Sequence, residues 1–359
     1  MIPYGRQSID DDDIAAVVEV LKGDWLTQGP HVEQFEETLA GIVGARHAVA
    51  FANGTAALHA AAAAAGLGPG DVVATSPLSF AASATCARYV GANPTFVDID
   101  PGTLNIDLAA VPAGIAALVP VHYAGLPVDL AQLTDRPPVV IEDAAHAIGA
   151  ITPDGPVGNC ARSDMTMFSF HPVKTVTTGE GGAVTTNSDD LAERLRRFRN
   201  HGIVRKEEEG GWYYEIEDLG FNYRMTDMQA ALGISQLGKL ERFVSRRNEL
   251  ADRYRELLGH LPIELPPAAP EGWRHAHHLF PVRVPDRANV FDRMRGAGVG
   301  VQVHFVPIYR HPLYADLGID PGDFPNTEAA YDRLLSLPLF PDLTESEQNE
   351  VVARLEFAL

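Results

Sequence analysis

Residues 164–187 read Asp-Met-Thr-Met-Phe-Ser-Phe-His-Pro-Val-Lys-Thr-Val-Thr-Thr-Gly-Glu-Gly-Gly-Ala-Val-Thr-Thr-Asn. The run Met165–Phe170 predicts a strand, and Lys174 falls on a short loop. Gly179, Gly181 and Gly182 predict a turn, and Ala183–Thr186 a second strand. A lysine between two apolar strands is held at the end of a sheet. Partial desolvation there lowers its pKa and frees the amine as a nucleophile, suited to a covalent link with an aldehyde cofactor. A lone loop lysine is ordinarily a solvated surface residue, and it is the residues around Lys174 that argue for the chemical role.

Outward from this stretch, short apolar runs alternate with helical ones. Ala48–Phe51, Val72–Thr75, Pro94–Val97, Ala117–Val121 and Val139–Glu142 read as strands. With the two around Lys174 they make seven, which predicts an α/β fold with a mostly parallel sheet covered on both faces. The last pair is close enough in sequence to be antiparallel. Asp10 to Lys22 reads as a capped helix with Ile14, Val17, Val18 and Leu21 at helical spacing, and Val32 to Val43 as a second. Leu191–Arg199 is a basic helix, and 204–217 a loop or short hairpin. Met225–Leu258 reads as one long helix crossing into a second part. That part, with strands at Leu279–Val284 and Val299–Phe305 and helices at Ala288–Ala297, Tyr331–Leu335 and Glu345–Phe357, predicts a small α+β domain. The expected division is a large domain over 12–235 and a small one over 236–359, joined by segment 1–11.

Composition excludes more than it names. The 359 residues carry 28 basic and 48 acidic side chains, a net charge of −20, which repels nucleic acid and anionic lipid. An anionic substrate must then be drawn in by local positive groups. No apolar run is long enough to span a bilayer, and the first residues lack a signal-peptide pattern. Two cysteines, Cys86 and Cys160, without metal-ligand spacing, fit a reducing cytoplasm; no metal site is expected.

Three further pieces surround Lys174. Asn53-Gly54-Thr55-Ala56-Ala57 follows a strand and opens an alanine-rich helix, presenting free N–H groups and the positive end of a dipole to a phosphate. The same letters also make an ordinary turn and helix cap. Val140-Ile141-Glu142-Asp143 ends a buried strand with a carboxylate where α/β folds bind ligands. An acid there keeps a pyridine nitrogen protonated, although Asp143 could equally cap a following helix. His146 lies three residues on, in reach of a ring oxygen or of Asp143. Phe80 either stacks on a flat ring or belongs to the core. Phosphate cradle, stacking aromatic, strand-end acid and loop lysine, in this order, describe a pyridoxal 5'-phosphate site.

The chain resembles the DegT/DnrJ/StrS sugar aminotransferases, within the type I aminotransferase fold. The resemblance runs almost end to end. It is carried by Asn-Gly-Thr-Ala-Ala-Leu (53–58), Glu-Asp-Ala-Ala-His (142–146), Phe-Ser-Phe-His-Pro-Val-Lys (168–174), Gly-Glu-Gly-Gly (179–182) and Gly-Phe-Asn-Tyr-Arg-Met-Thr (220–226). It implies that Lys174 carries the cofactor and that Asp143 pairs with the ring nitrogen. It also implies that Thr55, Ala56 and Ser169 hold the phosphate, and that Asn222 reaches that phosphate from a neighbouring subunit, so the active unit would be a homodimer with shared sites. His146 departs from the glutamine often found there, and both can hydrogen-bond the ring oxygen.

Within the family, Pro-Tyr-Gly-Arg-Gln (3–7), Trp-Leu-Thr-Gln-Gly (25–29), the His-Pro-Val-Lys form and Val-Gln-Val-His-Phe-Val-Pro-Ile-Tyr (301–309) are similar to the branch serving pseudaminic acid biosynthesis. That branch aminates UDP-2-acetamido-2,6-dideoxy-β-L-arabino-hex-4-ulose with L-glutamate. The similarity would place Tyr4, Trp25, Leu26, Thr27, His304, Phe305, Val306, Pro307 and Tyr309 around the nucleotide sugar. Trp25 and Tyr309 are also ordinary packing residues, and His304 an ordinary strand end. Arg224 is a candidate for the donor carboxylate or the substrate phosphates, or else a dimer-interface ion pair. The rival readings are an aminotransferase for a dTDP- or GDP-linked keto-deoxysugar in antibiotic or surface polysaccharide synthesis, a dehydratase of the same family, a non-catalytic cofactor-binding regulator, and a structural protein with a vestigial site. Lys174 argues against the dehydratase, where histidine takes its place.

Overall fold

The computed structural model describes all residues 1–359. In chain order its helices and strands are α1 (Asp11–Lys22), α2 (Pro30–Val43), β1 (His47–Phe51), α3 (Gly54–Ala64), β2 (Val72–Thr75), α4 (Ala82–Tyr89), β3 (Asn93–Phe96), β4 (Ala117–Val119) and β5 (Val139–Asp143). There follow a two-residue-strand hairpin, β6 (Ile151–Thr152) and β7 (Gly155–Pro156), then β8 (Met165–Ser169), β9 (Gly182–Thr186), α5 (Asp189–Arg199), β10 (Ile203–Arg205), β11 (Tyr214–Ile216), α6 (Asp227–Leu237) and α7 (Leu240–Leu258). The chain ends with β12 (Phe280–Arg283), α8 (Arg287–Gly296), α9 (Pro325–Tyr331), β13 (Leu334–Leu337) and α10 (Glu345–Ala358).

Seven strands form the main sheet in the order β1-β9-β8-β5-β4-β2-β3. Only β9 runs against the rest, paired antiparallel to both β1 and β8. The strands are short and almost wholly buried because helices cover both faces, which is the habit of parallel sheets. One cluster, around α3 and the alanines of its buried side, packs on one face. A second, built on α2 and α6 with Phe35, Phe168 and Phe170, packs on the other. Alanine suits α3 because it is the best helix former and lets the helix lie close on the sheet. A third cluster joins α7, β12, β13 and α10, and Ile2 enters it. The N-terminal segment is pinned there by backbone bonds from Ile2 to Gly298 and from Gly300 to Ile2, which carries Tyr4 toward the sheet.

Three local expectations change, and α1 adds a feature that its spacing left open. The helix expected over 225–258 is two helices, α6 and α7, interrupted at Gly238-Lys239. Residues 299–305 form no strand, only single bridges at Val299 and Gln302. The strand that pairs with β12 is β13, where helix was expected over 331–335; its four residues are fully buried, and Leu334-Leu335 fill a sheet rather than a helix face. In α1 the apolar stripe points outward, with Ile14, Val18 and Leu21 exposed. The helix docks on α6 through a buried polar knot instead: Asp13 accepts from Ser235 and Gln236 and pairs with Lys239. No helix is long and apolar enough to cross a membrane.

Gly182 opens β9 directly against the turn before α3. A Cβ there would lie 2.5 Å from the Asn53 carbonyl oxygen and 2.7 Å from the Gly54 nitrogen. Gly182→Ala is therefore expected to lower unfolding free energy by about 1–3 kcal/mol, measured by urea denaturation.

Candidate functional site

The carboxyl ends of β5 and β8, the start of α3 and the loop between β8 and β9 surround a cleft of about 800 Å³. Lys174 stands on that loop, whose ends are tied by Phe170 N–H to the Gly181 carbonyl at 2.9 Å and Thr178 N–H to the Phe170 carbonyl at 3.0 Å. The Gln229 amide of α6 donates to the Glu180 carbonyl at 2.7 Å, so the loop is braced from outside. Lys174 itself is half-buried and makes no hydrogen bond through its amine. Burial pushes that amine down to about 8, against an upward pull from the Asp143 carboxylate. At pH 7 about a tenth of it is then the neutral nucleophile, some hundreds of times more than for an ordinary lysine.

Asp143 is the last residue of β5 and is buried. Its Oδ1 accepts from Ala145 N–H at 3.1 Å and its Oδ2 from the Ser83 hydroxyl at 2.7 Å. No helix follows it, so it is not a helix cap. Glu142, one residue earlier, points to the opposite side as strand alternation requires. There it meets the His122 ring at 2.8 Å and accepts from the Thr166 hydroxyl at 2.9 Å. His122 Nδ1 accepts from Val128 N–H, so Nε2 holds the proton that goes to Glu142.

Asn53 caps α3, its side-chain oxygen accepting Ala56 N–H at 2.9 Å. Gly54 and Thr55 are the first two helical residues, and their N–H groups have no intrahelical acceptor. The Thr55 and Ser169 hydroxyls make no hydrogen bond within the chain. A Cβ on Gly54 would come 3.0 Å from the Ser169 side chain, so only glycine lets the helix start and the end of β8 face one shared space.

Of the four histidines that line the cleft, three are buried and His171 is exposed. The His146 ring lies 4.4 Å from that of His278 and stacks on Phe305 at 6.0 Å. His304 Nδ1 meets the Ser336 hydroxyl at 2.9 Å. Burial and the Lys174 charge hold His146 well below the ordinary imidazole range and push His304 down to about 4. His278 is likewise held well below, by burial and then by His146 and Lys174. All three are neutral at pH 7. His278 is set in place from beneath by Arg247 of α7, whose buried guanidinium donates to the carbonyls of His277, His278 and Leu339.

Of the residues singled out in the sequence, Tyr4, Thr55, Ala56, Phe80, Asp143, His146, Ser169, Lys174, His304 and Phe305 line this one cleft. Phe80 is 62% exposed, a wall residue rather than core. The others lie elsewhere. Tyr309 is buried, donates to Glu328 at 2.6 Å and stacks on Phe324 at 4.8 Å, so it packs rather than faces a ligand. Val306 and Pro307 lead away from the cleft because Ile308 N–H is held by the Pro77 carbonyl. Trp25 and Leu26 are exposed beside α6, with Thr27 bridged to Thr226. Asn222 is exposed, and Arg224 donates to Asn200 at 2.7 Å in a separate groove rich in arginine. Sequence reasoning passed over Ser79, Ser83, His171, Tyr223 and His278. Two hydroxyls four residues apart (Ser79, Ser83) and the His-Ala-His-His run at 275–278 were the available signals.

Comparison with known proteins gives one consistent result. The model of the DegT/DnrJ/EryC1/StrS aminotransferase family matches residues 7–356. The spore coat polysaccharide biosynthesis protein SpsC of Bacillus subtilis is 39% identical over 98% of this chain and 95% of its own. Among solved structures, Spr1654 of Streptococcus pneumoniae is similar with a TM-score of 0.94 and 27% identity, over 100% of this chain and 99% of that one, and is known in PMP and PLP forms. Helicobacter pylori PseC, an aminotransferase of pseudaminic acid biosynthesis, is similar with a TM-score of 0.92 and 29% identity, over 99% of this chain and 98% of that one.

The cleft fits pyridoxal phosphate on its own evidence. It offers unpaired N–H and hydroxyl donors at one end, a buried carboxylate at another and a low-pKa amine between. The buried His146 Nδ1, which has no partner in the chain, adds a group free to meet a ring oxygen.

Lys174 carries a stability consequence. Its folded pKa lies below its unfolded one, so its charged form opposes folding below about pH 8, and the cost disappears as pH rises through the ordinary lysine value. Lys174→Met should stabilise the cofactor-free protein at pH 7 by up to about 3 kcal/mol, with the gain shrinking above pH 8 in urea titrations at successive pH values.

Proposed function

The chain belongs to the DegT/DnrJ/EryC1/StrS aminotransferase family, and from that premise we propose that it aminates UDP-2-acetamido-2,6-dideoxy-β-L-arabino-hex-4-ulose with L-glutamate as donor, in pseudaminic acid biosynthesis. The coarser activity is that of the family, a sugar aminotransferase working with pyridoxal phosphate. The observation that carries the chemistry is the meeting of Lys174, Asp143 and the open start of α3 in one cleft. The likeness to PseC along nearly the whole chain supports the choice of sugar.

Bound in the cleft, pyridoxal phosphate supplies a ring that draws off the electrons of the bond broken at carbon. The start of α3, with Thr55, Ala56 and Ser169, holds the phosphate. Asp143 holds a proton at the ring nitrogen. Lys174 would hold the cofactor covalently, and its freed amine would take the proton from the α-carbon of glutamate. In the second half it delivers one to C4 of the sugar. The three neutral imidazoles do not compete for that proton; they shape the wall and keep water out.

Asn222 and Arg224 lie outside the cleft of their own chain, and the reading assigns them to a neighbouring subunit's site in a homodimer. The exposed Trp25 and Leu26, beside the same arginine-rich groove, and the outward stripe of α1 fit a covered face. A second reading, a keto-deoxysugar destined for a surface polysaccharide, is favoured by the 39% identity to SpsC.

Two experiments test these points. Incubation with pyridoxal phosphate, glutamate and a panel of UDP- and dTDP-linked 4-keto-6-deoxy sugars, read by mass spectrometry, should give amination of the UDP-N-acetyl-hexos-4-ulose. Amination of other sugars alone would overturn the proposed substrate. Lys174→Ala and Asn222→Ala chains, each inactive alone, should regain about a quarter of wild-type turnover when co-expressed, since random pairing leaves half the dimers with one intact site. No recovery would overturn the shared site.

A further inference from the structure

We infer that Ser83, hydrogen-bonded to Ser79 on the cleft wall, is the positioning residue for Asp143: a two-hydroxyl relay that fixes which lone pairs of the carboxylate face the cofactor ring. The inference rests on the proposed role of Asp143 at the ring nitrogen.

The geometry is direct. Ser79 Oγ lies 2.7 Å from Ser83 Oγ, and Ser83 Oγ lies 2.7 Å from Asp143 Oδ2. Ser83 is wholly buried and Ser79 nearly so. The direction of each bond follows from chemistry. An ionised carboxylate only accepts, so Ser83 must donate to Asp143. A hydroxyl has one proton, so Ser83 accepts from Ser79, and the Phe80 carbonyl at 3.2 Å is left as a second-best acceptor. The other carboxylate oxygen takes Ala145 N–H. Asp143 is thereby held at both oxygens, and its remaining lone pairs are turned to the cleft that it lines.

The relay also ties two walls of the site together. Ser79 and Ser83 bracket Phe80, which stands on the cleft wall, and the same segment holds Ile308 N–H through the Pro77 carbonyl. Movement of the Phe80 segment is therefore movement of the donor to Asp143. Ser83 does not line the cleft, although Ser79 does, so Ser83 acts through the carboxylate.

The test uses the full-length protein and two readouts, the dissociation constant of pyridoxal phosphate by fluorescence quenching and the kcat and KM of the amino-donor half-reaction. Ser83→Ala should weaken cofactor binding about tenfold, the scale of one hydrogen bond to a charged group, and lower kcat with little change in the KM for glutamate. Ser83→Thr, which keeps the hydroxyl, should stay within about twofold of wild type. Ser79→Ala should show a smaller loss of the same kind and serves as the milder variant should Ser83→Ala fold poorly. In an Asp143→Asn background, Ser83→Ala should add little, because both act on one interaction. Full additivity of the two changes, or equal losses in Ser83→Thr and Ser83→Ala, would overturn the relay. Wild-type behaviour of Asp143→Asn alone would instead overturn the reading of Asp143 on which the relay rests.

Discussion

The site depends on one close backbone approach, that of Gly182 to the Asn53 carbonyl. Strand β9 enters the sheet against the direction of its two neighbours, so its first residue meets the turn at the end of β1. With any side chain at 182 the two could not touch. Because they do, the helix start at Gly54, the end of β8 at Ser169 and the loop bearing Lys174 all open on the same space. A parallel strand in place of β9 would need a long crossover and would put the Lys174 loop elsewhere. The lysine's chemistry is thus a product of topology: a tight antiparallel return placed at the carboxyl edge of a parallel sheet.

Within that space, buried charge is sparse. Lys174 and Asp143 carry it, with Glu180 at the exposed rim, and three imidazoles near them are kept neutral by burial. Burial alone pulls Lys174 down further than Asp143 pulls it up, which leaves the amine near the pH where it can both attack and shuttle a proton. Asp143 in turn is anchored by Ser83 and Ala145 rather than by a cation. A cationic partner would have competed with a ring nitrogen for the same oxygens; a hydroxyl and an amide leave lone pairs free.

The seven sheet strands, the antiparallel last pair and the meeting of Lys174, Asp143 and Thr55 in one cleft were legible because each rests on a local signal. Short apolar runs punctuated by glycine and proline mark buried strands, and Lys174, Asp143 and Thr55 each sit at a strand or helix end that the pattern marks. What escaped was set by tertiary contacts. Ser83 looks like any serine in a helix until the fold brings β5 beside it. His278 sits in a run of histidines whose placement depends on Arg247, thirty-one positions earlier in the chain. Tyr331–Leu335 reads as helix, yet Leu334-Leu335 begin a strand because β12 offers them a ladder. Tyr309 shares a motif with His304 but not its surroundings, since the Pro77 carbonyl turns the backbone before the ring is reached. The stripe on α1 is a different case: periodicity reveals an apolar face, not what lies against it.

That outward face bears on how an acidic protein handles an anionic substrate. The cleft supplies a single lysine cation, and in the proposed function that one is committed to the cofactor. Arg46, Arg196, Arg197, Arg199, Arg205 and Arg224 instead gather in a groove on the side of α2 and α5, with Glu33, Glu36, Glu37 and Glu193 interleaved. Arg199 is already paired with Glu36, and Arg46 with Asp189. Arg224 has only the neutral Asn200 side chain as its partner, so its charge is not spent within the chain. A nucleotide diphosphate carries at least two negative charges, and in a molecule of net charge −20 it needs such a cation close at hand. On the proposed dimer, Arg224 and the neighbouring Asn222 would meet the cleft of the other subunit. Lys174 would then be left to proton transfer while charge recognition is supplied from outside the chain that does the chemistry.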